Sequence, residues 1–179
     1  LPAHLEAWSK APIHARVNGY LQSWQTDIGS KVKAGQVLAV IDSPDLDQQL
    51  AQTRAHMLQE QANARLAATT ATRWQNLLAS HSVSRQEADE KSSNAAAAKA
   101  NAQAAEADYA RLSTLEAYKT IRAPFAGTIT ARNTDIGQLI KADTDSDTEL
   151  FDLADTHQLR LYVPVPQNYA SVIRPGMQV

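Results

Sequence analysis

Few residues in this sequence have the types and spacing that chemistry requires. Cysteine is absent, which excludes a thiolate nucleophile, a disulfide framework and a cysteine-based zinc site. A run of alternating acids, Asp143, Asp145 and Asp147, starts like a calcium loop, but Thr148 and Ala154 occupy its sixth and twelfth positions instead of Gly and Glu. We therefore expect a solvated loop between strands. The five histidines do not recur at metal-ligand spacing; they are His4, His14, His56, His81 and His157.

The remaining site signatures are also missing from the sequence. It has no Ser-His-Asp order, no phosphate-binding glycine loop and no dinucleotide fingerprint. We predict no enzymatic activity, no cofactor and no metal site. The chain has 17 Lys and Arg against 19 Asp and Glu, a net charge of −2 that gives no electrostatic footprint for nucleic acid.

Alanine, glycine and proline are unevenly distributed along the 179 residues. Residues 45–123 contain no glycine and no proline, although the sequence has six glycines and seven prolines. By contrast, 19 of the 32 alanines lie between residues 44 and 115. Alanine favours helix but buries little apolar area. The composition therefore argues against one compact core and predicts a long alanine-rich helical segment.

The first helix of that segment is predicted over residues 44–79. Ser43 can cap it, Pro44 suits the first helical position, and Asp45 and Asp47 favour the positive end of the helix dipole. Apolar and small residues then recur at steps of three and four, a pattern typical of coiled coils. The stripe comprises Leu46, Leu50, Thr53, Met57, Glu60, Ala64, Ala67, Ala71, Trp74 and Leu78, and only Thr53 and Glu60 interrupt its apolar character.

A second helix is predicted over residues 85–114. Ser84 and Glu87 have the spacing of a capping box, and Glu87 and Lys91 that of a helical ion pair. Since about five residues join the two helices, they must run antiparallel. The second stripe comprises Ala88, Lys91, Ala95, Ala98, Ala102, Ala105, Tyr109 and Leu112.

The segments flanking the hairpin are copies of each other. Residues 15–32 and 123–140 align at a constant offset of 108, with six identities in 18 positions. Each copy consists of short apolar runs broken by glycine turns, which indicates β-strands. Neither copy can close a core alone, so we expect two facing halves in one small sandwich, with the hairpin inserted between them.

Residues 29–41 resemble the first half of a biotinyl/lipoyl domain, and residues 121–129 the start of its second half. A split lipoyl domain with an inserted helical hairpin resembles the periplasmic adaptor or membrane fusion protein family of tripartite efflux pumps. This is the resistance-nodulation-division (RND) type of the HlyD-like superfamily. The resemblance implies an elongated α+β fold: an antiparallel coiled-coil hairpin inserted into a split lipoyl-like β-sandwich, followed by part of a β-barrel.

The resemblance divides the sequence into five segments. Residues 1–10 are assigned to an N-terminal strand of the β-barrel, 11–42 to the first lipoyl-like half and 43–115 to the hairpin. Residues 116–156 form the second half, and 157–179 begin a truncated β-barrel. Because the sequence lacks an initiator Met, a signal peptide and a long apolar run, we interpret it as a fragment of a longer protein.

The resemblance also implies a binding site at the hairpin tip. Members of the family carry an Arg-x3-Leu-x6-Ser motif there that docks the outer-membrane channel, and Arg73, Leu77 and Ser84 match its spacing. Trp74 departs from the family, which often has Leu at that position. Each residue also has a structural explanation, since Ser84 caps a helix and Arg and Leu are common in helices.

The implied function is that of an adaptor anchored to the inner membrane in the periplasm. The resemblance implies that it links an inner-membrane transporter of the RND class to a TolC-family outer-membrane channel for export of drugs or toxic compounds. It also implies self-association in a hexameric ring. Alternatives are an adaptor of an ABC or major-facilitator exporter and a coiled-coil scaffold unrelated to transport. Covalent carriage is not expected, because residues 41–44 between the two halves contain no lysine.

Overall fold

The computed structural model describes residues 3–142, 149–164, 167, 174 and 176. The acidic loop 143–147 and most of the predicted barrel segment after residue 164 lie outside these residues. Within the described part, four strands precede and four strands follow one pair of long helices. In chain order the elements are β1 (His4–Ile13), β2 (Gly19–Trp24), β3 (Lys31–Val32), β4 (Val37–Asp42), α1 (Pro44–Ala79), α2 (Arg85–Ala117), β5 (Thr120–Arg122), β6 (Gly127–Arg132), β7 (Leu139–Ile140) and β8 (Phe151–Tyr162).

The strands form two antiparallel four-stranded sheets, in the orders β1-β8-β6-β3 and β5-β4-β2-β7. The two halves of the repeat exchange their short strands, because β3 of the first half pairs with β6 of the second and β7 of the second pairs with β2 of the first. Each half therefore completes the sheet of the other. The fold class predicted from sequence, a hairpin inserted into a split sandwich, is confirmed.

The core of the sandwich is built from equivalent positions of the two halves. Leu21 and its repeat partner Ile129 are each only 1% exposed. The other fully buried large side chains come from β4, from the start of β8 and from the residue just before β8. These are Leu38, Ile41, Leu150, Phe151 and Leu153.

The two halves also form the same turn from the same residues. The Asp27 carboxylate accepts the backbone N–H of Ile28 at 2.8 Å, and the Asp135 carboxylate accepts that of Ile136 at 2.9 Å. Each turn then needs a left-handed residue, which glycine provides: φ is +84° at Gly29 and +82° in the second copy. The repeat seen in sequence is thus a repeat of local structure.

One position breaks the symmetry and joins the two turns. Arg132 occupies the place equivalent to Trp24, and its guanidinium lies 4.6 Å from the centroid of the Trp24 ring. Its Nε donates to Asp27 at 3.2 Å, and its Nη1 donates to the Thr134 carbonyl oxygen. The Ile28 N–H and then Arg132 hold the pKa of the Asp27 carboxyl below its usual range.

The hairpin helices meet along the two stripes that the sequence indicates. Every stripe residue is buried or half-buried, while the positions on the far side of each helix are exposed. The most protected residues are small, with Ala88 and Ala105 each 2% exposed, which lets the helices approach closely. At about 1.5 Å per residue, the 36 residues of α1 form a rod about 54 Å long.

Three local predictions for the hairpin differ from the structure. Ser43 occupies the N-cap position of α1, but its side chain makes no capping hydrogen bond. The second helix extends to Ala117 rather than residue 114. Lys91 does not pair with Glu87; its Nζ lies 3.8 Å from Glu90 and 5.7 Å from the centroid of the Trp74 ring.

The hairpin is fixed to the sandwich at its base. Leu46 of α1 and Leu112 of α2 belong to the buried cluster of the sandwich. Lys119 Nζ donates to both carboxylate oxygens of Asp47, at 2.6 and 2.8 Å, which joins the end of α2 to the first turn of α1. The rod therefore projects from the sandwich in a defined direction.

β1 and β8 continue as a two-stranded ribbon beyond the part of β8 that pairs with β6. Its register runs from Ile13 opposite Phe151 to His4 opposite Tyr162, with an irregularity at Trp8. Its outer part exposes three leucines, Leu5, Leu159 and Leu161, each more than half exposed. β1 continues through residues 10–11 and β8 through residues 156–157. The domain boundaries assigned there from sequence do not coincide with the end of a strand, and they remain predictions.

Candidate functional site

The tip of the hairpin is a short turn held by its own hydrogen bonds. After α1, the N–H of His81 donates to the carbonyl oxygen of Leu78 and that of Ser82 to Leu77, both at 2.9 Å. This pair of bonds is a Schellman motif, in which the residue after the helix adopts a left-handed conformation. His81 has that conformation, with φ of +59°. The Ser80 hydroxyl adds a bond to the Leu77 carbonyl oxygen at 2.9 Å.

The second helix begins with the predicted capping box. The Glu87 N–H donates to Ser84 Oγ at 3.3 Å, and the Ser84 N–H donates to the Glu87 carboxylate at 3.0 Å. The Ser84 hydroxyl also donates to that carboxylate at 2.8 Å. The hydrogen bonds from the Ser84 backbone and hydroxyl hold the pKa of the Glu87 carboxyl below its usual range. Because this pKa is lowered in the folded state, the capping contact stabilises the fold above the ordinary carboxyl pKa and weakens as the pH falls through the folded-state value.

The three residues singled out by sequence lie on both sides of this turn. Arg73 and Leu77 are one turn apart on the same side of α1, outside the stripe that contacts α2, and both are exposed. Within the described residues, the Arg73 guanidinium makes no hydrogen bond or ion pair. Ser84 is exposed at the start of α2, but its hydroxyl is engaged by Glu87. Arg73 and Leu77 are thus available for contact, and Ser84 carries a structural role as well.

The charge of the tip has one sign. Residues 73–86 contain Arg73, Arg85 and His81, and no Asp or Glu. The nearest acid, Glu87, is already engaged in the capping box. A surface of this kind favours a partner that presents carboxylates or free carbonyl oxygens, and guanidinium groups bind such oxygens through paired donors.

Sequence reasoning missed two contacts that hold the helices together just behind the tip. The Lys91 ammonium of α2 lies over the ring of Trp74 of α1, and Gln75 Nε2 donates to Ser92 Oγ at 3.2 Å. The sequence signal was the large Trp74 in the first stripe opposite small residues of the second. These contacts fix the side of α1 from which Arg73 projects.

The other feature of note in the described chain is a cleft at the base of the hairpin. An open cleft of about 720 Å³ lies between the hairpin base and the sandwich, lined by side chains that include Arg16, Tyr20 and Leu139. Across residues 3–142 and 149–164, no three His, Asp or Glu side chains are grouped closely enough to hold a metal ion. Neither helix in these ranges is apolar enough over sufficient length to cross a membrane.

Residues 9–150 match the family model described as RND MFP, barrel-sandwich hybrid domain. The multidrug resistance protein MdtA of Klebsiella pneumoniae subsp. pneumoniae is 30% identical over 162 residues, which cover 90% of this chain and 39% of MdtA. The chain therefore spans about two fifths of the length of that relative.

Solved structures share the fold. The crystal structure of MacA from Actinobacillus actinomycetemcomitans superposes with a TM-score of 0.77 at 19% identity, over 94% of this chain and 56% of MacA. The membrane fusion protein Spr0693 from Streptococcus pneumoniae R6 superposes with a TM-score of 0.74 at 13% identity, over 97% of this chain and 74% of that protein. The hairpin and sandwich thus form an arrangement that recurs among distant sequences.

Proposed function

The chain belongs to the RND-type membrane fusion proteins, and from this premise we propose that it serves as the periplasmic adaptor of a tripartite efflux pump. The family consists of periplasmic, non-enzymatic adaptors that link inner-membrane transporters to outer-membrane channels. The observation that carries the proposal is the basic, exposed hairpin tip at the end of a rod about 54 Å long. Such a rod reaches a partner far from the sandwich.

The outer partner is a TolC-family channel, which the tip contacts through Arg73, Leu77 and Ser84. Arg73 offers a planar fork of donors for carbonyl or carboxylate oxygens. Leu77, 36% exposed, offers an apolar contact beside it. Ser84 adds its hydroxyl from the second helix. The absence of acidic residues between positions 73 and 86 supports an electronegative partner surface.

The inner partner is a transporter of the RND class, and the exported compounds are drugs or toxic molecules. The RND family model supports the transporter class, and the multidrug-resistance name of the MdtA relative supports the cargo. The β1–β8 ribbon, with its exposed leucines, is the start of the β-barrel that faces this transporter. The full-length protein is anchored to the inner membrane.

Self-association into a hexameric ring is supported by the outer faces of the two helices, which do not contact each other within the hairpin. Opposite the seam with α2, the outer face of α1 carries exposed small and apolar residues: Ala51, Ala55, Leu58, Ala62 and Leu66. The outer face of α2 carries only small ones at the matching positions: Ala96, Ala100, Ala104 and Ala107. Large side chains on one helix can enter the shallow surface on the other, as knobs pack into holes.

The heights of these residues along the rod also match. The contacts of Asp47 with Lys119 and of Gln75 with Ser92 set the pairing of heights between the helices. By that pairing Leu58 lies level with Ala107, and Leu66 with Ala100. Copies related by rotation about an axis parallel to the rod meet at equal heights, so α1 of one copy packs on α2 of the next.

Leu66→Glu is expected to weaken this ring without unfolding the hairpin. Leu66 is 70% exposed in a single chain, so the change leaves the fold unaffected. In the ring it removes a buried leucine, worth about 1.5–3 kcal/mol, and weakens each contact roughly tenfold or more. Cross-linking of the full-length protein in cells measures the loss of higher oligomers. His56→Glu, on a different face of α1, serves as the control. Equal cross-linking of Leu66→Glu and wild type would contradict the proposed contact between α1 of one copy and α2 of the next.

Two variants separate the capping role of Ser84 from a contact role. Ser84→Ala removes the cap and is expected to cost about 1 kcal/mol of stability, whereas Ser84→Asn retains a good capping side chain. If the hydroxyl contacts the channel, both variants weaken channel binding, although only Ser84→Ala lowers the thermal midpoint. Binding that falls in Ser84→Ala alone would assign Ser84 to the cap only. Co-purification of the channel with tagged full-length protein provides the measurement.

The proposed function as a whole is tested by deleting the gene. Loss of a tripartite pump should lower the drug concentration that stops growth, and reintroducing the gene should restore it. An unchanged susceptibility profile across drug classes would instead favour a coiled-coil scaffold. Purification of the tagged protein after cross-linking would identify the transporter and channel directly.

A further inference from the structure

The turn at the hairpin tip contains a residue that the turn itself does not favour. In a Schellman motif the left-handed position after the helix is usually glycine, since a Cβ there crowds the following carbonyl oxygen. His81 holds this position with φ of +59°, and among the described residues no other non-glycine residue has a positive φ. A strained residue that persists in a well-defined turn indicates a role beyond the turn.

The next residue departs from the usual motif as well. A Schellman motif is often closed by an apolar contact between the residue two positions after the helix cap and the one three positions before it. Here these residues are Ser82 and Leu77. Because Ser82 is short and polar, it leaves Leu77 uncovered, 36% exposed. An ordinary turn would have no side chain at the position of His81 and would cover Leu77. Here both side chains are exposed.

The imidazole of His81 does nothing for the turn. The turn is held by the backbone N–H groups of His81 and Ser82 and by the Ser80 hydroxyl. In the part of the chain that the structure describes, the His81 ring makes no hydrogen bond, ion pair or aromatic contact, and the residue is exposed. A glycine would give the same turn with less strain.

We propose that His81 is a further contact residue of the tip, whose ring N–H donates a hydrogen bond to a carboxylate or free carbonyl oxygen of the outer-membrane channel. This inference rests on the proposed function, in which the tip docks on that channel. Arg73 and Arg85 flank the turn and no acid lies between residues 73 and 86, so an electronegative partner fits. His81 lies in the turn between the two helices, between Arg73 and Arg85 in sequence.

The test is His81→Gly in the full-length protein, with two readouts that move in opposite directions. Glycine relieves the left-handed strain, so the thermal midpoint is expected to rise by about 2–4 °C. Loss of the hydrogen bond is expected to reduce co-purification of a TolC-family channel about fivefold. A merely structural histidine would give the first change without the second, and wild-type channel binding by His81→Gly would overturn the inference.

Two further variants keep this outcome distinct from the proposed function. His56→Ala removes an exposed histidine from the middle of α1 and should leave channel binding unchanged. Arg73→Asp tests docking itself. If Arg73→Asp loses the channel while His81→Gly retains it, the tip docks without His81 and only the present inference fails. If both retain the channel, the docking proposal fails with it.

Discussion

Replacing Arg73 with Asp is expected to reduce drug export to the level of a strain that lacks the protein. The side chain is exposed and lacks an ion-pair partner among the described residues, so its charge is free for a partner. Charge reversal removes the paired donors and places a carboxylate against an electronegative surface, which should weaken channel binding by at least about tenfold. The hairpin should persist, because the substitution alters an exposed helix position at a cost of about 0.5 kcal/mol. Drug susceptibility and far-ultraviolet circular dichroism measure the two effects.

Arg54→Asp provides the matched control for this prediction. Arg54 is also exposed on α1, and the same charge change is made about 28 Å from Arg73 along the helix. It should leave export unchanged if the tip is the docking site. Wild-type export by Arg73→Asp would remove Arg73 from the site, and equal loss in both variants would indicate a general effect of charge on the rod.

The helical hairpin could be read from sequence because its signals are local. Pro44 starts α1, Ser84 and Glu87 start α2, and the spacing of apolar and small residues defines the contact face. Each signal acts within one or two helical turns, so no knowledge of the rest of the chain is needed. The end of α2 was missed by three residues because it depends on tertiary structure: Leu115 packs against the core of the sandwich and extends the helix.

The pairing of the short strands could not be predicted in the same way. β3 and β7 have two residues each, and their sequences do not specify which half they join. The exchange is decided by the packing of both halves at once. Likewise, Lys91 can reach several partners, and its contact with Trp74 follows from the distance between the helices.

The candidate site shows the same division. Arg73 and Leu77 lie outside the predicted contact stripe, so their exposure follows from helical periodicity alone. The conformation of His81 does not, because histidine enters the left-handed region only in particular turns and the neighbouring residues do not indicate such a turn here. Only the backbone of the folded turn identifies it as unusual.

The largest effect on stability is expected from Gly19→Ala, with Gly127→Ala as its counterpart in the second half. Neither glycine has a positive φ, so neither is required for an unusual backbone conformation. Each is required because a side chain would collide with the neighbouring strand. A Cβ at Gly127 would lie 2.5 Å from the carbonyl oxygen of Ala154, and one at Gly19 would meet the carbonyl oxygen of Asp42 and lie 2.7 Å from Ile41 Cγ2. Because these obstacles include the backbone of the neighbouring strand, that strand must move. We expect each change to cost about 3 kcal/mol, a large share of the stability of a small domain.

Gly137→Ala separates this effect from ordinary loss of glycine. Gly137 has φ of +82° and nothing within 4 Å of an added Cβ, so its replacement should cost only the left-handed strain, about 1 kcal/mol. Urea unfolding followed by near-ultraviolet circular dichroism measures the sandwich, since the helices dominate the far-ultraviolet signal. If Gly19→Ala and Gly137→Ala cost the same, close approach of the strands is not what requires glycine. The expected difference of about 2 kcal/mol would instead show that these glycines are required because the neighbouring strand of the same half approaches closely, β4 at Gly19 and β8 at Gly127.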